Sequence, residues 1–316
     1  LSSGYNPIKY IFKDIILYVC LLSILIFGLA MLYSSSGQSI SMVIRQSVYI
    51  FSGLILMTFI SHLKPDSYKN LLMHSYWIGL LLLVYVLFFP ASGYSTSRWI
   101  DLGFFSFQPS EIIRLILPLS LIAYLCRKES PIQLLDWFYT TLAAFICSYL
   151  VFQQPDLGTS IIVLTSGLMP IYLAGLPYRI IIAYLGLAVV AAPFIWANLL
   201  DYQKQRVLTY FDSNVDPLGD GWNIAQSKTA IGSGGFFGKG YLEGTQSQLN
   251  FIPESHSDFI FSVVGEEFGL FGIGLLFFVY AIIIWRIFKI GFAAQSNFER
   301  LACSSLGFIF LLFILI

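Results

Sequence analysis

The chain has 316 residues, of which 57% are hydrophobic and 11% are charged, and its mean hydropathy is +0.79. In soluble domains about a quarter of all residues are charged, so this composition excludes an ordinary soluble globule and indicates an integral membrane protein. The 17 basic and 17 acidic residues cancel to a net charge of zero, which argues against a nucleic-acid-binding protein.

Nine apolar runs are candidates for membrane-spanning helices. A span takes about 20 apolar residues, and five runs approach or exceed that length: 15–33, 40–60, 71–89, 180–200 and 259–285. Four shorter runs fit either a span or a re-entrant segment: 112–125, 138–152, 157–173 and 301–316. Since the bilayer offers no partner to an unpaired backbone group, we predict an all-α polytopic membrane protein. We expect one transmembrane domain over residues 1–316, in a protein that continues at both ends.

The positive charges predict the orientation in the membrane. Lys and Arg accumulate in short cytoplasmic loops, and a cytoplasmic N-terminus places ten of the 17 basic residues on the inner side. The polar stretch 201–257 then lies outside. A loop of this length commonly carries function or folds on its own.

Three polar motifs border the apolar runs. Glu111 and Arg114 are three residues apart, and on one helix face they indicate a polar cavity or a solvated ion pair at a helix start. Asp156 belongs to a polar turn between two runs, and Trp99 follows Arg98 in a predicted outer loop. The alternative to a substrate-binding role is an interfacial turn for Asp156 and an interfacial anchor for Trp99.

The long loop ends in further candidate residues. Its glycine-rich stretch GSGGFFGKG departs from a Walker A loop, because Ser233 and Gly240 stand where Gly and Ser or Thr are needed. ATP hydrolysis is therefore disfavoured. Backbone N–H groups of this stretch, with Lys239, suit either a pyrophosphate site or a flexible turn. Asp258, close to His256, stands where the loop returns to the membrane, and its carboxylate suits either a helix start or the mouth of an interfacial cavity.

Four motifs in order resemble the SEDS family of shape, elongation, division and sporulation proteins. They are QPSE at 108–111, QPDLGTS at 154–160, the stretch 226–261, and GEEFGLFG at 265–272. Within 226–261, GTQSQL at 244–249 is more similar to the rod-elongation branch than to the cell-division branch. The resemblance implies a SEDS-type bundle of ten spans, nine of them in this chain, with a large extracytoplasmic loop.

The resemblance also implies a function. SEDS proteins of this branch are peptidoglycan glycosyltransferases that polymerise lipid II outside the cytoplasmic (inner) membrane, releasing polyprenyl pyrophosphate, for cell elongation and rod shape. Their partners are a class B penicillin-binding protein and other membrane proteins of the elongation complex. The family's catalytic aspartate falls on Asp258 and its tryptophan on Trp99. Arg114 is a departure, since the family commonly has Lys there, and Arg replaces a point charge by a planar fork.

These implied roles agree with the chemistry of the side chains. Asp258 would orient or deprotonate the attacking sugar hydroxyl, either directly or through a bound divalent cation, Mg²⁺ or Mn²⁺. Cationic side chains would stabilise the pyrophosphate. The predicted substrate-binding set is Trp99, Glu111, Arg114, Asp156, Lys228, Lys239 and His256.

Two other functions compete with the enzyme. The charges Glu111, Arg114 and Glu266 within apolar runs would suit a transporter that flips lipid II. A scaffold of the elongation complex is the third alternative. The long outer loop favours the enzyme, because a flippase needs a cavity that opens to both sides.

Overall fold

The structure, a computed structural model, describes residues 14–63, 65–89, 98–101, 106–128, 132–212, 216, 219–248, 251 and 255–315. The helices of the membrane runs are α1 (Ile15–Ser35), α2 (Ile40–Ser61), α3 (Pro65–Phe88), α4 (Pro109–Leu125), α5 (Leu134–Gln153), α6 (Leu157–Leu173) and α7 (Tyr178–Asn198). The long loop contains α8 (Asp201–Phe211), α9 (Asp220–Gly234) and α10 (Thr245–Gln248). Two further helices of the membrane runs follow it, α11 (Ile260–Ala293) and α12 (Asn297–Leu315). The strands β1 (Ile100–Asp101) and β2 (Ser106–Phe107) pair antiparallel, with Ile100 opposite Phe107.

The predicted all-α membrane fold is confirmed. A helix covers each of the nine predicted apolar runs. Among the described residues, seven helices are long and apolar enough to cross a membrane: α1, α2, the part of α3 from Leu71, α5, α7, α11 and α12. Helices α4 and α6 have 17 residues each, about 26 Å at 1.5 Å per residue, which is slightly less than the hydrocarbon thickness of about 30 Å.

The apolar surface of several helices faces outward. None of the described side chains of α2 or α7 is buried, although both helices are strongly apolar. In water such surfaces would be unstable, whereas lipid is as apolar as the side chains themselves. The long loop, by contrast, is partly helical through α8, α9 and α10.

The chain divides into two compact units. The first comprises residues 1–62 and 191–283, and the second comprises residues 63–190 and 284–316. In the first unit, Met31 of α1 packs with Val263 and Val264 of α11. In the second unit, the core joins α3, α4, α5 and α6, and its buried members include Leu83, Leu117, Trp137, Ala144 and Val163. The single transmembrane domain over 1–316 stays a prediction.

Close helix packing in the second unit depends on a small residue. A Cβ atom added to Gly167 of α6 would lie 2.7 Å from the Cβ of Ala144 in α5 and 2.9 Å from the Cδ2 of Leu117 in α4. Both distances are below van der Waals contact. Gly167 therefore lets three helices approach each other, as small residues do in membrane bundles.

We expect Gly167→Ala to lower the thermal unfolding midpoint of the detergent-solubilised protein, because overpacking a helix contact costs about 1–3 kcal/mol. The control is Gly186→Ala on α7, where the added Cβ meets nothing within 4 Å and helix propensity improves. Intrinsic tryptophan fluorescence on heating measures both. Equal midpoints for the two variants would contradict this packing.

Candidate active site

The eight residues predicted from the sequence fall into two groups. The first compact unit holds Lys228, Lys239, His256 and Asp258, and the second holds Trp99, Glu111, Arg114 and Asp156.

Asp258 lies on a short turn immediately before α11. The turn covers residues 255–259, and the Asp258 side chain is exposed. Within the described part of the chain, no hydrogen bond or ion pair of Asp258 is found. The neighbouring N-terminus of α11 carries unpaired backbone N–H groups and the positive end of the helix dipole, which favour a carboxylate nearby. Asp258 is thus an accessible acceptor at a helix start.

The turn that carries Asp258 is anchored to the end of α1. The Ser255 hydroxyl is buried and donates a hydrogen bond of 2.9 Å to the backbone oxygen of Ser35. Two further bonds join α1 to the same region: the Tyr241 hydroxyl donates to the Ala30 oxygen at 2.9 Å, and the Ser34 hydroxyl donates to Glu267. The C-terminal turns of α1 therefore position the segment on which Asp258 stands.

An ion pair joins the glycine-rich stretch to a buried carboxylate of α11. The Lys239 Nζ is 2.7 Å from the Glu266 Oε1, and Glu266 is fully buried. The Thr245 hydroxyl and the Gln246 backbone N–H also donate to the Glu266 carboxylate, each at 3.0 Å. This set of donors compensates the cost of burying a carboxylate in an apolar helix.

The glycine-rich stretch packs its backbone directly against α11. Gly269 has φ +64°, where α11 breaks, and the N–H groups of Leu270 and Phe271 donate to the oxygens of Gly235 and Phe236 at 3.0 and 2.9 Å. These bonds replace the helical ones that the break removes. The segment therefore forms a backbone junction with the broken helix.

Three backbone N–H groups that the sequence offered to a pyrophosphate are already hydrogen-bonded. Those of Lys239 and Gly240 donate to the oxygens of Glu266 and Glu267 at 3.0 Å, and that of Gly238 donates to the Gly234 oxygen at 2.9 Å. A Cβ atom at Gly238 would lie 2.1 Å from the Glu267 oxygen. The packed junction differs from the flexible turn considered for this stretch. A substrate contact of the Lys239 side chain stays a prediction.

Lys228 and His256 differ in exposure. Lys228 lies on α9 with an exposed side chain, and no contact of its ammonium group is found among the described residues. His256 lies on the Asp258 turn and is partly buried. The ammonium group of Lys228 is therefore open to an anionic ligand.

In the second unit, Arg98 binds the turn that carries Asp156. Its Nε donates to the Gln154 oxygen at 3.1 Å, its Nη2 donates to the Pro155 oxygen, and its Nη1 lies 3.6 Å from the Asp156 Oδ2. Asp156 also caps α6 by accepting a 3.1 Å hydrogen bond from the Thr159 N–H. Asp156 thus has the structural role of a helix cap, and its substrate role stays a prediction.

Glu111 and Arg114 form the predicted pair on one face of α4. The Arg114 Nη2 lies 3.7 Å from the Glu111 Oε1, and the Arg114 guanidinium stacks 4.3 Å from the ring centroid of Phe313 on α12. The Glu111 side chain is 55% exposed, so its charge is available to a ligand. Trp99 is partly buried and lies directly before β1.

Sequence reasoning did not identify the positioning residues. Arg98 was seen only as a neighbour of Trp99, while Ser34 and Ser255 carried no signal, because serine in an apolar run or a loop is common. The partners of these side chains are distant in sequence, 56 residues for Arg98 and Gln154 and 220 for Ser255 and Ser35. Only the folded chain brings them together.

Comparison with known proteins adds a family match. The family model described as "Cell cycle protein" (FtsW, RodA, SpoVE) matches residues 14–316. The peptidoglycan glycosyltransferase MrdB of Escherichia coli K12 is 40% identical over 98% of this chain and 86% of its own. A probable peptidoglycan glycosyltransferase FtsW of Trichlorobacter lovleyi is 30% identical over 96% of this chain and 83% of its own.

Solved structures share the fold. One, described as "Structural coordination of polymerization and crosslinking by a peptidoglycan synthase complex", has a TM-score of 0.78 at 28% identity and covers 93% of this chain and 82% of its own. The rod-shape-determining protein RodA of Thermus thermophilus has a TM-score of 0.69 at 25% identity, over 95% and 82%.

We expect Gly238→Ala to destabilise the protein, because the residue has φ +81° and the added Cβ meets backbone. Left-handed strain alone costs about 1–3 kcal/mol. Gly232→Ala is the matched control, since its Cβ meets nothing within 4 Å. Thermal unfolding in detergent distinguishes them, and a Gly238→Ala protein as stable as the control would refute the junction.

We expect Lys239→Met to cost about 3–5 kcal/mol, because it leaves the buried Glu266 carboxylate without its cation. Lys228→Met, at an exposed lysine of the same unit, should change stability by less than about 0.5 kcal/mol. The combined Lys239→Met, Glu266→Gln variant should recover part of the loss. Thermal unfolding of the wild type, Lys239→Met, Glu266→Gln and the combined variant gives the coupling energy, and additive effects of the two single changes would contradict the ion pair.

Proposed function

We propose that this chain, which belongs to the FtsW, RodA and SpoVE family of cell cycle proteins, is a peptidoglycan glycosyltransferase of the elongation type. This family is the SEDS family that its motifs resemble. It joins lipid II units into glycan strands and releases polyprenyl pyrophosphate. The relatives named as peptidoglycan glycosyltransferases support this activity, and the observation that carries the site is the exposed Asp258 carboxylate on its anchored turn.

The proposed orientation puts the site outside the cytoplasmic (inner) membrane. The excess of basic residues in the predicted inner loops supports a cytoplasmic N-terminus, and α11 then begins on the outer side. A substrate with a lipid tail and a sugar head meets such a site at the membrane surface without leaving the bilayer. No nucleotide is needed, because the pyrophosphate leaving group is already part of the substrate.

The proposed chemistry is a displacement at the anomeric carbon of the growing strand. The 4-hydroxyl oxygen of the incoming sugar forms the new C–O bond while the bond from that carbon to the pyrophosphate oxygen breaks. The hydroxyl proton passes to the Asp258 carboxylate, and the pyrophosphate leaves with the bonding electron pair. A carboxylate held at an accessible helix start suits this general-base role.

Cationic side chains would stabilise the charge on the leaving group. Lys228 suits this role better than Lys239, because its side chain is exposed, whereas the Lys239 ammonium is held by Glu266. Arg114, Trp99, Glu111, Asp156 and His256 are proposed as further substrate contacts, on their sequence motifs.

The described residues do not form a metal site by themselves. No group of three or more His, Cys, Asp or Glu side chains that could hold an ion occurs in the described part of the chain. Mg²⁺ is commonly held by one or two carboxylates together with substrate phosphates, so Asp258 would hold a divalent cation, Mg²⁺ or Mn²⁺, only together with the pyrophosphate of the substrate.

The proposed partner is a class B penicillin-binding protein that cross-links the new strands. The structurally similar synthase complex is described as coordinating polymerization and crosslinking. A transpeptidase beside the polymerase receives each strand as it emerges, so the two activities gain from one assembly. Other elongation-complex membrane proteins would complete it.

We expect Asp258→Asn to lower the rate of lipid II polymerisation at least 100-fold, since general-base catalysis contributes about 10²–10⁴. The assay uses labelled lipid II, the purified protein with its transpeptidase, and penicillin to block cross-linking. Asp201→Asn, at an exposed carboxylate at the start of α8, is the control and should retain wild-type activity. Unchanged thermal unfolding would show that Asp258→Asn is folded.

Three results would contradict the proposal. Full activity of Asp258→Asn would remove Asp258 from the mechanism. An inactive wild type whose vesicles move lipid II across the membrane would favour the flippase. An inactive wild type that only binds the transpeptidase would favour the scaffold.

A further inference from the structure

An apolar groove runs along α11 in the first unit. It lies between α1 and α11, has a volume of about 360 Å³, and is lined by Phe27 on α1 and by Phe268, Phe271, Leu275 and Val279 on α11. The one hydroxyl in its wall, that of Ser23, is satisfied by the Val19 oxygen at 2.8 Å. The wall of the groove therefore has no unsatisfied hydroxyl group that an apolar ligand would leave without a partner.

The length of the groove suits a stretch of extended hydrocarbon chain. Its wall on α11 extends from Phe268 to Val279, about 17 Å at 1.5 Å per residue, which is about half of the hydrocarbon thickness of the bilayer. The Phe27 and Phe268 rings touch edge to face at 5.6 Å, so α1 and α11 are direct neighbours. A helix of about 10–12 Å diameter does not fit between helices in direct contact.

One end of the groove adjoins the polar junction of the candidate site. The Phe268 ring lies 6.2 Å from that of Tyr241, and the Phe271 ring lies 6.4 Å from that of Phe237. Tyr241 and Phe237 flank Lys239, which pairs with the buried Glu266 two residues before Phe268. The wall of the groove is thus continuous with the loop that carries the candidate site.

We propose that this groove binds the polyprenyl chain of the lipid-linked substrate, with the phosphate end directed toward the loop that carries Asp258. The inference rests on the proposed function. A phosphate-linked prenyl lipid has the two properties that the feature requires: a long unsaturated chain for the aromatic walls and a polar end for the loop above them. A phospholipid acyl chain in the same groove would have no link to turnover.

The first test is photo-labelling without turnover. The full chain in nanodiscs of phosphatidylglycerol and phosphatidylethanolamine is irradiated with a polyprenyl phosphate that carries a diazirine in its first isoprene units. We expect label on residues 23–27 and 268–279, displaced by unlabelled polyprenyl phosphate and not by added phospholipid. Equal displacement by phospholipid, or label spread evenly over the exposed faces of α2 and α7, would overturn the proposal.

The second test fills the groove. Ser23→Trp places an indole in it at an exposed position, and Ser52→Trp does the same on α2, outside the groove; both serine hydroxyls bond only to their own helix. We expect Ser23→Trp to abolish the labelling and to raise KM for full-length lipid II at least tenfold, a factor that corresponds to about 1.4 kcal/mol. KM for a short-chain analogue and all values for Ser52→Trp should stay at the wild-type level.

The outcomes separate this inference from the proposed function. An active wild type whose KM is insensitive to Ser23→Trp would overturn the groove and leave the glycosyltransferase intact. A wild type that takes the label but makes no polymer would count against the glycosyltransferase and not against the groove.

Discussion

The backbone junction between the glycine-rich stretch and the broken helix α11 is the constraint on which the first unit depends. A carboxylate buried in an apolar helix needs a cation and several donors, and here the donors come from a loop that must approach the helix backbone closely. Gly234 makes this approach, because a Cβ there would lie 2.0 Å from the Gly265 oxygen. The loop then delivers Lys239, Thr245 and the Gln246 N–H to Glu266.

The end of α1 continues this arrangement toward the candidate catalytic turn. It accepts hydrogen bonds from Tyr241 and Ser255, and it donates one to Glu267. The loop, the broken helix and the Asp258 turn are therefore held by a single short segment of α1. A base that must meet a sugar hydroxyl within hydrogen-bond distance gains from such fixed support, and this explains how a polar loop keeps one carboxylate both exposed and positioned.

The second unit uses a different device for a similar purpose. Arg98 binds two backbone oxygens and one carboxylate of a single turn, a task to which a planar fork with five donors is well suited. Trp99, next to it, is partly buried directly before β1. The ion pair of Glu111 with Arg114 leaves the acid half-exposed, because stacking on Phe313 directs the guanidinium inward.

The sequence by itself determined the membrane class, the nine helical runs, the family and the position of Asp258 at the start of α11, because long apolar runs and contiguous motifs are local properties of the chain. It also predicted the pair of Glu111 and Arg114, three residues apart on one helix. The fold decided what depends on distant partners: the pairing of Lys239 with Glu266 across 27 residues, the hold of Arg98 on a turn 56 residues away, and the use of the glycines as a packed junction. A glycine-rich stretch has the same sequence pattern whether it binds a phosphate or packs on a helix. Only the tertiary contacts show where its N–H groups are bonded.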